Sequence, residues 1–130
     1  MSILLDTNAL IWLLNSLDGK PLGQHAKEMI QQADSVYASP VSVLEIQIKS
    51  MLGKLKSSST LLDDIASAGL KSLPFNMEHA NAISKFPNLN KHDPFDRMLL
   101  AQAKVERFSF LTSDKLLLDQ NIVFLINALN

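Results

Sequence analysis

Four carboxylates in this 130-residue chain stand where a packed core has no use for a charge. Asp6 directly follows the apolar run Ile3-Leu4-Leu5, and Asp114 follows Phe108 to Leu111 in the matching phrase Leu111-Thr112-Ser113-Asp114. Glu45 falls inside the stripe that Val41, Leu44, Ile48, Leu52 and Leu55 form at 100° per residue. Asp96, in His92-Asp93-Pro94-Phe95-Asp96-Arg97, shares a helix face with Leu99, Leu100 and Ala103. If the four meet, each pair about 6 Å apart repels by roughly 3 kcal/mol at an effective dielectric of 20. Six such pairs exceed the net stability of a typical domain, about 5–15 kcal/mol. The cluster must therefore take up protons or bind a cation. With oxygen donors and no Cys, the cation expected is a hard divalent ion, Mg²⁺ or Mn²⁺. Such an ion, with open positions for water, suits phosphodiester hydrolysis. A carboxylate left free can orient or deprotonate the attacking water. His25, His79 and His92 are scattered and read as surface or local structure rather than ligands.

Each acid also has a purely structural explanation. Asp6 and Asp114 can cap the short helical segments after them, and Asp93 is a natural N-cap ahead of Pro94 at N1. Asp96 then falls at N3, where the helix N-terminus favours its charge by about 0.3–1 kcal/mol. Glu45 can pair with Lys49 at i+4. Capping explains Asp93 fully, which leaves it a supporting role. For Asp6 the place at the end of a strand favours function, for Glu45 and Asp96 the inward position does, and Asp114 gains its weight from the set.

Alternating strands and helices must position these groups. Ile3–Leu5, Val36–Ala38, Lys71–Phe75, Phe108–Leu111 and Ile122–Ile126 read as strands. Ala9–Leu14, Pro21–Ala33, Pro40 to about Leu52, Leu61–Ala68, Glu78–Lys85 and Pro94 to about Glu106 read as helices. Gly53 and Gly69 mark helix ends, and 54–59 and 87–91 read as loops. This alternation predicts one α/β domain over 1–130, a parallel sheet with helices on both faces. Sites in such folds lie beyond the carboxyl ends of the strands, where Asp6 and Asp114 stand.

Composition narrows the function classes. Apolar residues make up 47% and charged ones 19%, which argues against disorder. The absence of Cys excludes a disulfide scaffold and a thiolate site. Asp6 interrupts any secretory signal core, and the apolar run ending at Leu14 is far short of a bilayer span. A cytoplasmic soluble protein is expected. The four glycines are dispersed and form no phosphate loop, and no Gly-x-Ser-x-Gly elbow is present. With a net charge of −1, nucleic acid would have to be held by local patches: Lys49, Lys54 and Lys56, Arg97 beside Asp96, and Lys115 beside Asp114. A solvated helix face is the commoner fate of such lysines. Trp12 and the phenylalanines read as core.

Asp6-Thr7-Asn8-Ala9-Leu10, Ser39 to Ile46, His92 to Ala103 and Leu111 to Asp114, in that order, closely resemble the motifs of PIN-domain proteins. They look most like the VapC-type ribonuclease toxins of toxin–antitoxin pairs. The resemblance implies a Rossmann-like α/β/α sandwich. It implies a Mg²⁺ or Mn²⁺ site of Asp6, Glu45, Asp96 and Asp114 that cuts RNA, with Asn8 and Thr112 positioning the acids and Asp93 in support. It also implies a homodimer silenced by a cognate antitoxin, whose C-terminal segment lies along the toxin. Operator DNA recognition is expected of the antitoxin and not of this chain alone. Two other readings compete: a catalytically silent PIN-like binding module, and a phosphoacceptor receiver. The receiver fits poorly, because only one acid follows the first strand and Glu45 lies within a helix.

Overall fold

A computed structural model describes residues 1–15, 22–89 and 92–130. Five strands, β1 (Ser2–Leu5), β2 (Ser35–Ala38), β3 (Lys71–Ser72), β4 (Ser109–Thr112) and β5 (Leu125–Asn127), form one parallel sheet in the order β3-β2-β1-β4-β5. The chain winds outward from β1 in one direction to β3, then crosses back to β4 on the other side of β1. The point of reversal lies between β1 and β4, where Leu5 is opposite Leu111. In open α/β sheets that reversal leaves a crevice beyond the strand ends. The fold is the Rossmann-like α/β/α arrangement of a PIN-like domain, as expected.

The central strands are apolar on both faces because both faces are covered. Side chains alternate, so Ile3, Leu5 and Leu111 join one core cluster while Leu4 and Phe110 join the other. Helices α1 (Thr7–Leu14) and α2 (Gln24–Gln32) supply Ala9, Leu10 and Ala26 to the first. Trp12 packs against that cluster, as its core reading requires. Helix α6 (Pro94–Glu106) supplies Leu99, Leu100 and Ala103 to the second.

Helix α3 (Pro40–Met51) behaves differently from the expected stripe. Its buried residues are Val41, Ser42, Glu45 and Ile46, while Leu44 is 52% and Leu52 64% exposed. The cause is where the helix sits. It packs on both α1 and α6, sending Val41 into one core cluster and Ile46 into the other. A helix wedged between two neighbours buries the face between them, and Glu45 lies on it. The sequence placed Glu45 inside correctly but for a stripe that does not exist.

Other boundaries moved for local reasons. The third strand is two residues long and not five, because Pro74 has no N–H to continue the ladder. The Leu73 carbonyl instead accepts from Gln102 Nε2 at 2.9 Å. The last strand starts at Leu125, since the Leu125 amide turns back onto the Ile122 carbonyl. The helix expected over 78–85 is α5 (Met77–Asn81) followed by a tighter 3-10 turn, Ala82–Lys85. Pro87–Leu89, expected as loop, also forms a 3-10 turn. Gly53 and Gly69 close α3 and α4 (Leu61–Ser67) with φ of 71° and 78°, a conformation glycine enters without a Cβ penalty. Pro21, Asn90 and Lys91, parts of an expected helix and loop, lie outside the described residues. No helix among the described residues is long and apolar enough to cross a membrane.

Candidate active site

The acids gather at the carboxyl end of the sheet, each held by a different element. Asp6 ends β1 and caps α1, with Oδ1 accepting from the Ala9 amide at 2.6 Å. Its Oδ2 accepts from Thr112 Oγ1 at 2.7 Å and from the Ser113 amide at 3.0 Å, both at the end of β4. So a local helix cap fixes Oδ1, and the pairing of β1 with β4, more than a hundred residues apart in sequence, fixes Oδ2. Asp114 caps α7 (Lys115–Leu118): Oδ1 accepts from the Leu117 amide at 3.1 Å. The Asp114 amide in turn donates to Thr112 Oγ1 at 3.0 Å. Thr112 thus ties Asp6 and Asp114 together. Asn8 is exposed and reaches Ser113 Oγ at 3.4 Å. Capping and site placement are not alternatives at Asp6 and Asp114; one geometry satisfies both.

Glu45 is 5% exposed. Thr7 Oγ1 donates to its Oε1 at 2.6 Å, and Lys49 pairs with its Oε2. The i+4 pairing is therefore real, and it lies inside the acidic pocket. The hydrogen bond to Glu45 raises the Lys49 amine above its ordinary value against the opposing effect of burial. The charges of Glu45, Asp93 and Asp96 add to it. Lys49, expected to reach for phosphate, is thus occupied with the acids. Asp93 is the N-cap of α6, accepting from the Phe95 amide at 2.8 Å and the Asp96 amide at 3.4 Å. Lys54, Lys56 and Lys115 are exposed, and Arg97 is half-buried.

Crowding shows in the acidities. Burial pushes the Asp6 carboxyl up, opposed by the Ala9, Thr112 and Ser113 donors and reinforced by the charge of Glu45. Burial also pushes Asp96 up, to about 8, helped by a hydrogen bond shared with Asp114 and by the charges of Asp114, Asp93 and Glu45. Asp114 goes the other way. Burial works against its charge, but the Leu117 amide, the proton shared with Asp96 and the His92 ring hold it below the usual carboxylate range. The opposite directions are what two adjacent carboxyls show when ionising both is costly.

Two participants were not expected. Thr7, directly after Asp6, donates to Glu45 and stands 3.0 Å from the Ser42 hydroxyl, from which it can accept. A hydroxyl one residue past a strand-end acid was the available signal. His92 is the other. Its Nε2 lies 3.0 Å from Asp114 Oδ2 and 3.5 Å from Asp96 Oδ2. The i, i+4 spacing of His92 and Asp96 was legible, but the Asp114 side of the contact was not. Donor atoms of His92, Asp96 and Asp114 all lie within 4.8 Å of one another. Asp6 and Glu45 stand outside that triangle, although the charge of Glu45 is felt at both Asp6 and Asp96.

The PIN domain family model matches residues 3–121. This chain belongs to the PIN domain family. PIN domains are generally nucleases and typically use a divalent metal. The residues here fit such an ion: Glu45, Asp93 and Asp96 act on one ammonium, and crowding by neighbouring carboxylates and burial raise Asp96 to about 8. No curated protein matches the sequence significantly. Among solved structures, the fold is similar to VapBC2 from Rickettsia felis bound to a DNA fragment from their promoter. That match has a TM-score of 0.68 and 16% identity, covering 97% of this chain and 96% of that one. A toxin–antitoxin complex from Klebsiella pneumoniae gives 0.64 and 16%, covering 97% of each chain. FitAB bound to an IR36 DNA fragment gives 0.68 and 20%, covering 98% and 96%.

Proposed function

We propose that this PIN domain is a Mg²⁺- or Mn²⁺-dependent endoribonuclease and the toxin of a toxin–antitoxin pair. The observation that carries the reading is a linked set of acids at the carboxyl end of the sheet, Asp96 beside Asp114 with the charge of Glu45 felt at both Asp96 and Asp6. A divalent ion held by these acids supplies, when bound, charge neutralisation at the scissile phosphate and acidification of water. The chain's own residues do the rest. Thr112, Ser113 and Thr7 lock the Asp6 and Glu45 oxygens, so no reorganisation is needed when charge develops. Asp96, whose carboxyl is raised by burial and its acidic neighbours to about 8, would be among the residues holding the ion. Asp114, ionised and partly exposed, offers an oxygen to orient the attacking water or take its proton. The water oxygen bonds to phosphorus as the bond to the leaving oxygen breaks. Lys49 leaves the pocket less anionic toward a polyanion, and Lys54, Lys56 and Arg97 extend that effect outward.

Partners follow from the same reading. The neighbouring structures are toxin–antitoxin assemblies. On this chain Leu44, Met51 and Leu52 of α3 and Leu62 of α4 are 52–86% exposed, an apolar surface that a lone soluble chain has reason to cover. An antitoxin and a second copy of the chain are the proposed partners, in the cytoplasm, with operator DNA left to the antitoxin. The deciding experiment is cleavage of total RNA by the purified protein with Mg²⁺ or Mn²⁺. Asp96→Asn should lower the rate by at least a hundredfold, and EDTA should stop it. Undiminished cleavage by the variant, or cleavage in EDTA, sinks the reading.

A further inference from the structure

Oxygen-only coordination is not what the pocket offers. The imidazole of His92 is 8% exposed and is aimed between two carboxylates from different elements, Asp96 on α6 and Asp114 after β4. Donors cis to one another on a six-coordinate ion with bonds of about 2.1 Å stand roughly 3.0 Å apart. The Nε2 to Asp114 Oδ2 separation is 3.0 Å and the Nε2 to Asp96 Oδ2 separation 3.5 Å, so the imidazole stands near that spacing from both carboxylates, and the three donors lie within 4.8 Å of one another. Asp6 and Glu45 stand outside this triangle, their oxygens hydrogen-bonded to the chain and, at Glu45, also paired with Lys49.

Resting on the nuclease reading above, we infer that His92 is a metal ligand through Nε2, with Asp96 and Asp114, and that it makes this centre select Mn²⁺ over Mg²⁺. The chemistry is a matter of ligand hardness. Mg²⁺ takes carboxylates, phosphates and water and keeps its hydration shell tightly. A nitrogen donor gains affinity along the first transition series, and Mn²⁺ is the member that also suits carboxylates. Removing the imidazole therefore penalises Mn²⁺ and leaves Mg²⁺ nearly indifferent.

The test needs no RNA. Calorimetric titration of the metal-free protein with MnCl₂ and MgCl₂ should show at least a tenfold preference for Mn²⁺. In His92→Gln, Mn²⁺ affinity should fall about tenfold while Mg²⁺ affinity changes by less than twofold. Pulsed electron paramagnetic resonance of the Mn²⁺-loaded protein should show nitrogen coupling that disappears in His92→Gln. Because the spectrum is read first on the unaltered chain, a variant that fails to fold does not rescue the idea. Equal loss of both ions, or a spectrum without nitrogen coupling, overturns it. The two readings also fail separately. Nitrogen-coupled Mn²⁺ without RNA cleavage keeps this inference and removes the nuclease. RNA cleavage without nitrogen coupling does the reverse.

Discussion

At each end of helix α6 a buried histidine side chain meets a carboxylate, and the two contacts do different work. At its C-terminal end the fully buried His79 meets Glu106 Oε2 at 2.7 Å. At its N-terminal end His92 meets Asp114 Oδ2 at 3.0 Å. His79 is committed on both sides: Nδ1 accepts from the Asn76 amide in a capping box, so Nε2 is left to donate to Glu106. The helix C-terminus disfavours the Glu106 charge, and the imidazole offsets that. This pair is a strut fastening α5 to α6. His92 instead stands between two carboxylates, with more acids behind them and a helix N-terminus that favours their charge. Burial and pairing alone therefore do not mark a functional histidine. A second carboxylate in reach, and an excess of negative charge around it, do.

That contrast can be broken at either end. The largest effect is the Asp96→Asn loss of cleavage, which leaves the fold intact. Next, His79→Ala should destabilise the protein by about 2–4 kcal/mol, since it opens a cavity and strands buried donors and acceptors. Urea unfolding measures this, and cleavage per folded molecule should be unchanged. A loss of activity without loss of stability would make the two ends alike after all.

Smaller is the pH dependence of the metal-free protein. The folded value of Asp96 is raised from 3.8 to about 8, so its proton is bound more tightly in the folded state. That contribution is fully present below pH 4 and is lost as pH rises toward 8. Asp6 shifts in the same direction. Asp114 shifts down, so its contribution is lost only as pH falls below the ordinary carboxylate range and is constant over this window. Thermal melts should therefore show stability falling by a few kcal/mol between pH 5 and pH 8. Asp96→Asn should remove most of the slope, and Mn²⁺ should reverse it at pH 8. A flat profile would mean that the acids do not crowd. The smallest effect belongs to Glu106→Gln, about 1 kcal/mol, because the amide can still accept from His79.

Much of this architecture was legible in local rules. Ser39-Pro40 and Asp93-Pro94 start α3 and α6 because a short polar cap and a proline at N1 satisfy a helix start whatever surrounds it. Ile3-Leu4-Leu5 had to be buried on two faces. Asp6, Glu45, Asp96 and Asp114 were singled out one by one from their surroundings in the chain. What failed was what depends on neighbours far away. The stripe through Leu44 and Leu52 was a sound helical pattern, but it did not foresee that α3 is wedged between α1 and α6. His92 was set aside because the three histidines are scattered and form no close pair, while its partner Asp114 lies 22 residues further along the chain.

The sequence by itself determined which side chains can carry charge, where helices begin, and which strands must be covered. Those are properties of a few consecutive residues, governed by capping, periodicity and transfer from water. Only the tertiary structure decided which atoms meet. Pairing of β1 with β4 brings Thr112 onto Asp6, and the turn past β4 brings Asp114 to His92. Hydrogen bonds and ion contacts reach about 3 Å, and no pattern along the chain records a distance that short between residues so far apart.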